Sequence, residues 1–317
     1  RRRERALRDG EYDLVYVAPE GMANDYTMAL LEGLQPQLVA IDEAHCISQW
    51  GHDFRPDYLR LGPAIRRLAP RHVLACTATA TPQVAEEVCK SFGISTEEHL
   101  FRLSSNRPNL KLHVEVVKGG EHEHRALLLK HLGLHQRGGA AIVYCTRQRT
   151  AVELADFLSA AGKRAEPFHA GLASDKKKAT QDWFTREPAP IVCATVAFGM
   201  GIDKSNVRLV VHYNLPKSLE SYYQETGRAG RDGGEGRCIA FYSHKDIDKL
   251  EKFLQGKPIA EQEVGMQLLQ EVMAYAETAT SRRKFLLHYF GEEFDEGNGP
   301  GARVAAVGLS NMRKVNR

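Results

Sequence analysis

From Leu110 to Gln255 short apolar runs alternate with helix-length stretches, and no other feature narrows the fold as far. The expected strands are Leu110–Val117, Ala140–Cys145, Arg164–Phe168, Ile191–Ala194, Val207–Tyr213 and Cys238–Tyr242. Helices are expected at Glu121–Leu134, Arg149–Ala161, Asp175–Phe184, Ser218–Thr226 and Lys245–Gln255. Strands separated by single helices make βαβ crossovers, and crossovers of one hand build a mostly parallel sheet with helices on both faces. The fold class is therefore α/β. Leu110–Val117 alternates apolar and polar residues, as an edge strand does.

A second, shorter α/β pattern precedes this one. Strands are expected at Leu14–Ala18, Leu38–Ile41 and His72–Cys76, with helices at Met28–Leu34, Tyr58–Leu68 and Gln83–Phe92. Thr81 is placed to cap the last helix, and Pro82 suits its first turn. The polar stretch from Ser105 to Leu110 shifts the composition, so a boundary is expected there. The expected domains are residues 1–104, 105–256, a helical subdomain over 257–296 built on Glu261–Glu277 and Ser281–Phe290, and a linker with the start of another element over 297–317. Both ends look cut, because the chain opens on Arg1 and stops inside a helix-like stretch. A piece of a longer protein is expected.

Composition adds limits. The chain has 317 residues, 43% hydrophobic and 26% charged, ordinary for globular domains. A formal net charge of +3 is too small to argue for nucleic acid by itself, so any such surface must come from local clustering. The six cysteines are scattered with no C-x-x-C, which reads as reduced thiols in a cytosolic protein. No run is long enough to span a bilayer, and no secretory leader is recognisable.

The chemistry concentrates in Leu38–Pro56. Its apolar run ends on Asp42 and Glu43, and ligands gather at the C-terminal ends of strands in open α/β sheets. Adjacent carboxylates repel unless a cation joins them. One can hold Mg²⁺ while the other orients or deprotonates water, with His45 in hydrogen-bonding range. A solvated acidic turn is the bland alternative. Trp50, His52, Phe54 and Arg55 then form a loop suited to stacking on unpaired bases, or to plain packing. Thr77 and Thr79 follow the next strand, in a cluster that also reads as a capped turn.

Further on, Gln224-Glu225-Thr226-Gly227-Arg228-Ala229-Gly230-Arg231-Asp232-Gly233 sets two arginines three apart, which suits a phosphate or a solvated helix end. Gly199 and Gly201 relax the backbone before Asp203. Thr146 and Arg147 end one strand, and His169 and Gly171 follow another. Lys176–Lys178 reads as a solvated helix face.

Asp42-Glu43-Ala44-His45 with its continuation through Pro56, and the complete Gln224–Gly233 string, closely resemble the RecQ family of DExH helicases, over roughly Leu14 to Glu292. The resemblance implies two RecA-like lobes, the first incomplete, followed by a small helical subdomain. It implies an ATP-dependent DNA helicase moving 3′→5′ on single-stranded and forked duplex DNA, in recombination, repair and replication. A bacterial cytosolic or nucleoid location follows. Asp42 would hold the Mg²⁺ of ATP. Glu43, His45, Gln224, Arg228 and Arg231 would be catalytic, with Arg231 favoured over Arg228 for direct contact across an interdomain cleft. Gly199 and Asp203 would also face the nucleotide. DNA would meet Trp50, His52, Phe54, Arg55, Thr77, Thr79, Asn109, Thr146, Arg147, His169, Gly171 and Thr195.

Two departures stand out. No G-x-x-x-x-G-K-[ST] phosphate loop occurs in the 317 residues, so these alone are expected to hydrolyse ATP negligibly. Ser281 stands where the family's first zinc cysteine belongs, and no cysteine follows Cys238, so zinc is not expected. A non-catalytic DNA-binding or annealing protein is the alternative, and an RNA helicase with the same core a third.

Overall fold

The computed structural model describes residues 2–49, 53–135, 138–199 and 202–294. The chain divides into two units, Arg1–Ser104 and Ser105–Arg317.

The first unit runs α1 (Arg2–Arg8), α2 (Asp25–Leu34), β1 (Leu38–Ile41), α3 (Leu61–Leu68), β2 (His72–Ala75) and α4 (Pro82–Phe92). Strands β1 and β2 pair in parallel, Leu38 opposite His72 and Ile41 opposite Ala75. Ile41, Ala44, Ile47, Tyr58, Ile65, Val84, Val88 and Phe92 form its core. Thr81 caps α4 by accepting from the Val84 amide, with Pro82 in the first turn. Two sequence expectations need correction. Leu14–Ala18 is not a strand: it is irregular extended chain, with Leu14 and Tyr16 66% and 90% exposed. An apolar run becomes a strand only when a neighbour takes its backbone groups, and among the described residues β1 and β2 pair with each other alone. The stretch Tyr58–Leu68 is split, a 3₁₀ turn over Pro56–Arg60 giving way to α3.

The second unit begins with β3 (Leu110–Val116), α5 (Glu121–Leu134), β4 (Ala140–Tyr144), α6 (Gln148–Ala160), β5 (Ala165–Phe168) and α7 (Ser174–Arg186). It continues with β6 (Ile191–Ala194), β7 (Val207–His212), α8 (Leu219–Thr226), β8 (Gly236–Tyr242), α9 (His244–Leu254), α10 (Ile259–Glu277) and α11 (Arg282–Tyr289). Six parallel strands stand in the order β3-β8-β7-β4-β6-β5, with β3 at one edge. Central β4 is buried throughout, as a strand covered on both faces must be. Its period of two sends Ala141 and Val143 toward Leu128, Leu154 and Leu158 on one face. Ala140, Ile142 and Tyr144 join Phe184 and Phe198 on the other. Helices α9 to α11 close on α8 and β8 through Ile247, Leu269, Tyr275, Leu286, Tyr222 and Tyr242. No helix among the described residues is long and apolar enough to cross a membrane.

Candidate nucleotide and nucleic-acid sites

In the first unit, β1 delivers Asp42 to its C-terminal end, exposed, with Glu43 half-buried and His45 buried. Glu43 sits at φ +50°, a left-handed turn that bulky residues rarely adopt. Its amide donates to Asp42 Oδ1 at 2.9 Å. The Ala44 amide donates to the Cys76 carbonyl, extending the β1–β2 pairing past both strands. That extension brings the threonine cluster to the acidic box. His45 Nδ1 lies 2.8 Å from Thr77 Oγ1 and 3.4 Å from Glu43 Oε2, and Thr77 Oγ1 accepts from the Thr79 amide. One buried imidazole therefore joins the carboxylate to Thr77 and, through it, to buried Thr79.

Beyond the box, Arg55 Nη2 donates to Asp53 Oδ2 at 2.6 Å, and the Arg55 amide bonds the Cys46 carbonyl. Burial, then the Asp53 charge, push the Cys46 thiol up to about 12. Phe54 is half-buried and Arg55 exposed. Trp50 and His52 lie outside the described residues.

In the second unit, the turn after α8 carries the two arginines, and both reach the loop that follows β6. Arg228 Nη1 donates to the Gly199 carbonyl at 2.7 Å, and a Cβ on Gly199 would stand 2.7 Å from Arg228 Nη2. Arg231 Nη1 donates to the Ile202 carbonyl at 3.2 Å and lies 3.6 Å from Asp203 Oδ1. Its side chain is 40% exposed and Asp203's is 92% exposed. The two arginines are thus not equivalent: Arg228 is spent on the Gly199 backbone, whereas Arg231 and Asp203 face solvent. Gln224 is half-buried on α8, one turn earlier.

Several residues without a recognisable motif hold this turn. Arg208, on β7, grips Asp232 through Nη1 and Nη2 at 2.9 and 2.6 Å and holds its carboxyl down to about 2. Buried His212 lies 2.6 Å from Glu225, its ring stacked on Tyr144 and tilted against Tyr222. Asn109, expected on DNA, spends its amide hydrogens on the Gly230 and Gly234 carbonyls at 2.9 and 2.8 Å.

The remaining candidates sit at the C-terminal ends of parallel strands. Thr146 and Arg147 follow β4, both exposed. They border a polar cavity of about 260 Å³ with Glu121, Arg125, Tyr213 and Asn214. His169 and Thr195 follow the adjacent strands β5 and β6, and the Thr195 amide donates to the Phe168 carbonyl. His169 Nδ1 is buried with no partner among the described residues. A Cβ on Gly171 would stand 2.5 Å from Gln148 Oε1, so a larger residue there would have to push the end of that side chain aside.

Parallel α/β sheets bearing a DExH box, a threonine turn and an arginine turn define a helicase core. The comparisons agree. A DEAD/DEAH box helicase model matches residues 1–88, a helicase conserved C-terminal domain 123–233, and a RecQ zinc-binding model 244–301. The ATP-dependent DNA helicase RecQ of Bacillus subtilis is 40% identical over 290 residues, 90% of this chain and 48% of the relative. That of Pasteurella multocida is 40% identical over 288 residues, covering 90% and 44%. A solved structure of S. cerevisiae Dbp5 bound to RNA and ADP BeF3 shares the fold at 21% identity and a TM-score of 0.53, covering 75% of this chain and 63% of that one. The chain belongs to the RecQ family of helicases. It spans about half the length of these curated relatives.

The zinc-binding match meets a donor set that does not fit zinc. Residues 244–301 hold no cysteine, and their histidines are His244 and His288 alone. A closed structural site needs four N or S ligands. Where a cysteine would stand, Ser281 Oγ caps α11 by accepting from the Lys284 amide. Tyr289 donates between Glu220 and Glu271 at 2.6 and 3.1 Å, and Tyr275 donates to the Tyr222 hydroxyl at 3.0 Å.

Proposed function

We propose that this chain serves an ATP-dependent DNA helicase of RecQ type, translocating 3′→5′ on single-stranded DNA and opening forked duplexes. Asp42 holds the Mg²⁺ of ATP, Glu43 orients and deprotonates the attacking water, and Arg231 neutralises charge on the γ-phosphate. Trp50, His52, Phe54 and Arg55 stack on unpaired bases. Thr77, Thr79, Thr146, Arg147, His169, Gly171 and Thr195 meet the strand's backbone. The observation that carries this reading is the His45 contact to Thr77. A passive DNA binder gains nothing from joining a hydrolytic carboxylate to a threonine turn, whereas a motor must make hydrolysis depend on DNA. A cytosolic or nucleoid location follows from the substrate.

Strand displacement tests it. With ATP and Mg²⁺, the full-length protein is expected to unwind a 3′-tailed duplex and leave a 5′-tailed one intact. Displacement without ATP, or a preference for the 5′ tail, would sink the reading. The alternative reading is a non-catalytic DNA-binding or annealing protein. It predicts annealing of complementary strands without nucleotide and no displacement on either tail.

The helical subdomain does its work without zinc, held by the tyrosine–carboxylate contacts and the apolar cluster. Elemental analysis is expected to find far less than one zinc per chain, and EDTA to leave Tm unchanged. One tightly held zinc per chain would refute this.

A further inference from the structure

Immediately after the first unit, residues 105–110 fold back onto the turn that carries Arg228 and Arg231. Arg107 donates from Nη1 to the Gly227 carbonyl at 3.3 Å, and from Nη2 to those of Ala229 and Gly230 at 2.9 and 3.1 Å. These carbonyls lie just past the last turn of α8, where a helix leaves acceptors unsatisfied and favours a cation. Asn109 ties the Gly230 carbonyl to that of Gly234, closing the turn from the same segment. Gly230 itself sits at φ +57°, and a Cβ there would stand 2.3 Å from the Gly234 carbonyl oxygen and 2.5 Å from Asn109 Nδ2. The turn has one shape, and this segment fixes it.

The segment is held in its turn by the helical subdomain. Arg283, on α11, donates to Asn106 Oδ1 at 2.8 Å, and to the carbonyls of Arg107 and Leu110 at 2.7 and 2.6 Å. Tyr223, on α8, donates to the Ser105 carbonyl at 2.9 Å. One hydrogen-bonded path therefore runs from α11, through the Arg107 backbone and side chain, to the backbone of Gly227–Gly230.

We propose that Arg107 is a positioning residue for Arg231, and that Arg283 sets the position of Arg107. The helical subdomain would then govern nucleotide hydrolysis without touching nucleotide. This rests on the reading that Arg231 acts on ATP. A guanidinium held to backbone carbonyls by a planar fork is only partly replaced by the point charge of lysine. Misplacing a reacting group by about 1 Å costs on the order of 10²-fold in rate. A residue that matters only in the transition state lowers kcat and leaves KM in place.

The experiment compares Arg107→Ala, Arg107→Lys, Arg283→Ala and Arg231→Ala in the full-length protein, by steady-state ATP hydrolysis with saturating single-stranded DNA. Hydrogen exchange is followed over residues 226–236. Arg107→Ala is expected to lose about 10²-fold in kcat with KM within about twofold, and to speed exchange in that segment while the β4 and β6 amides stay protected. Arg283→Ala should do the same more weakly. Arg107→Lys should fall between parent and alanine, and it carries the test if the alanine variant does not fold. If Arg231→Ala loses hydrolysis while Arg107→Ala and Arg107→Lys keep kcat and parent-like exchange, the positioning role is overturned and the nucleotide reading stands. If Arg231→Ala hydrolyses ATP as the parent does, both fall together.

Discussion

Arg231→Ala is expected to slow DNA-stimulated ATP hydrolysis by the full-length protein about 10³–10⁵-fold, the range lost with an arginine that neutralises charge on a transferring phosphoryl group. The case rests on a difference between two arginines that the sequence presents as a pair. Arg228 donates to the Gly199 carbonyl at 2.7 Å, and its Nε is buried without a partner among the described residues. It cannot reach a ligand without giving up backbone contacts. Arg231 has one long bond, 3.2 Å to the Ile202 carbonyl, and a loose approach to Asp203 with most of that carboxylate in water. A weak exposed pair of this kind contributes little, so a phosphate displaces it at small cost. Arg231→Lys should recover little, since a point charge cannot match the bidentate fork. KM should change far less than kcat, because the interaction forms with the charge of the transition state. Arg228→Ala should instead lower Tm as well as rate. A loss below about tenfold for Arg231→Ala would remove it from the chemistry.

The arginine turn also shows how far the sequence could be read. The string Gln224–Gly233 suits an anion site or a solvated helix end by residue type and spacing, and only its resemblance to the RecQ family favours the first. It does not say which guanidinium is free. That depends on the loop after β6 lying beside the turn, which follows from the strand order β8-β7-β4-β6 and from no local pattern. Arg208 on Asp232, His212 on Glu225 and Arg107 on three carbonyls were illegible for the same reason: each joins residues 13 to 123 positions apart. Asn109 reads as a polar hinge residue, and only its partners reveal a clasp. Central β4 was legible because burial on both faces writes a continuous apolar run, and edge strand β3 because it alternates. Leu14–Ala18 writes the same run, yet forms no strand, since pairing depends on a neighbour and not on composition. In the first unit Asp42, Glu43 and Thr77 each carried a signal. His45 carried one too; what the sequence left out was that its buried ring lies between Glu43 and Thr77.

That junction gives the second large effect. Glu43→Gln is expected to reduce ATP hydrolysis about 10²–10⁴-fold, the usual contribution of a positioned general base. The change keeps volume and the two-atom fork of the side chain while removing the charge that accepts a proton. Three features keep it local. The left-handed turn at φ +50° is a backbone property that glutamine shares with glutamate. The amide bond to Asp42 Oδ1 uses the main chain alone. The Glu43 side chain is 44% exposed, so the charge that is lost stands largely in water. Affinity for DNA and for ATP with Mg²⁺ should therefore stay within a few fold of the parent, since Asp42 still offers its carboxylate to the metal. Asp42→Asn should behave oppositely, weakening the response to Mg²⁺ before it touches the water. Thr77→Val separates base from coupling. Its loss should leave hydrolysis without DNA nearly intact and blunt the stimulation by DNA, because His45 keeps Glu43 but loses the threonine at 2.8 Å. Single-turnover hydrolysis by Glu43→Gln within about tenfold of the parent would mean that another group takes the proton.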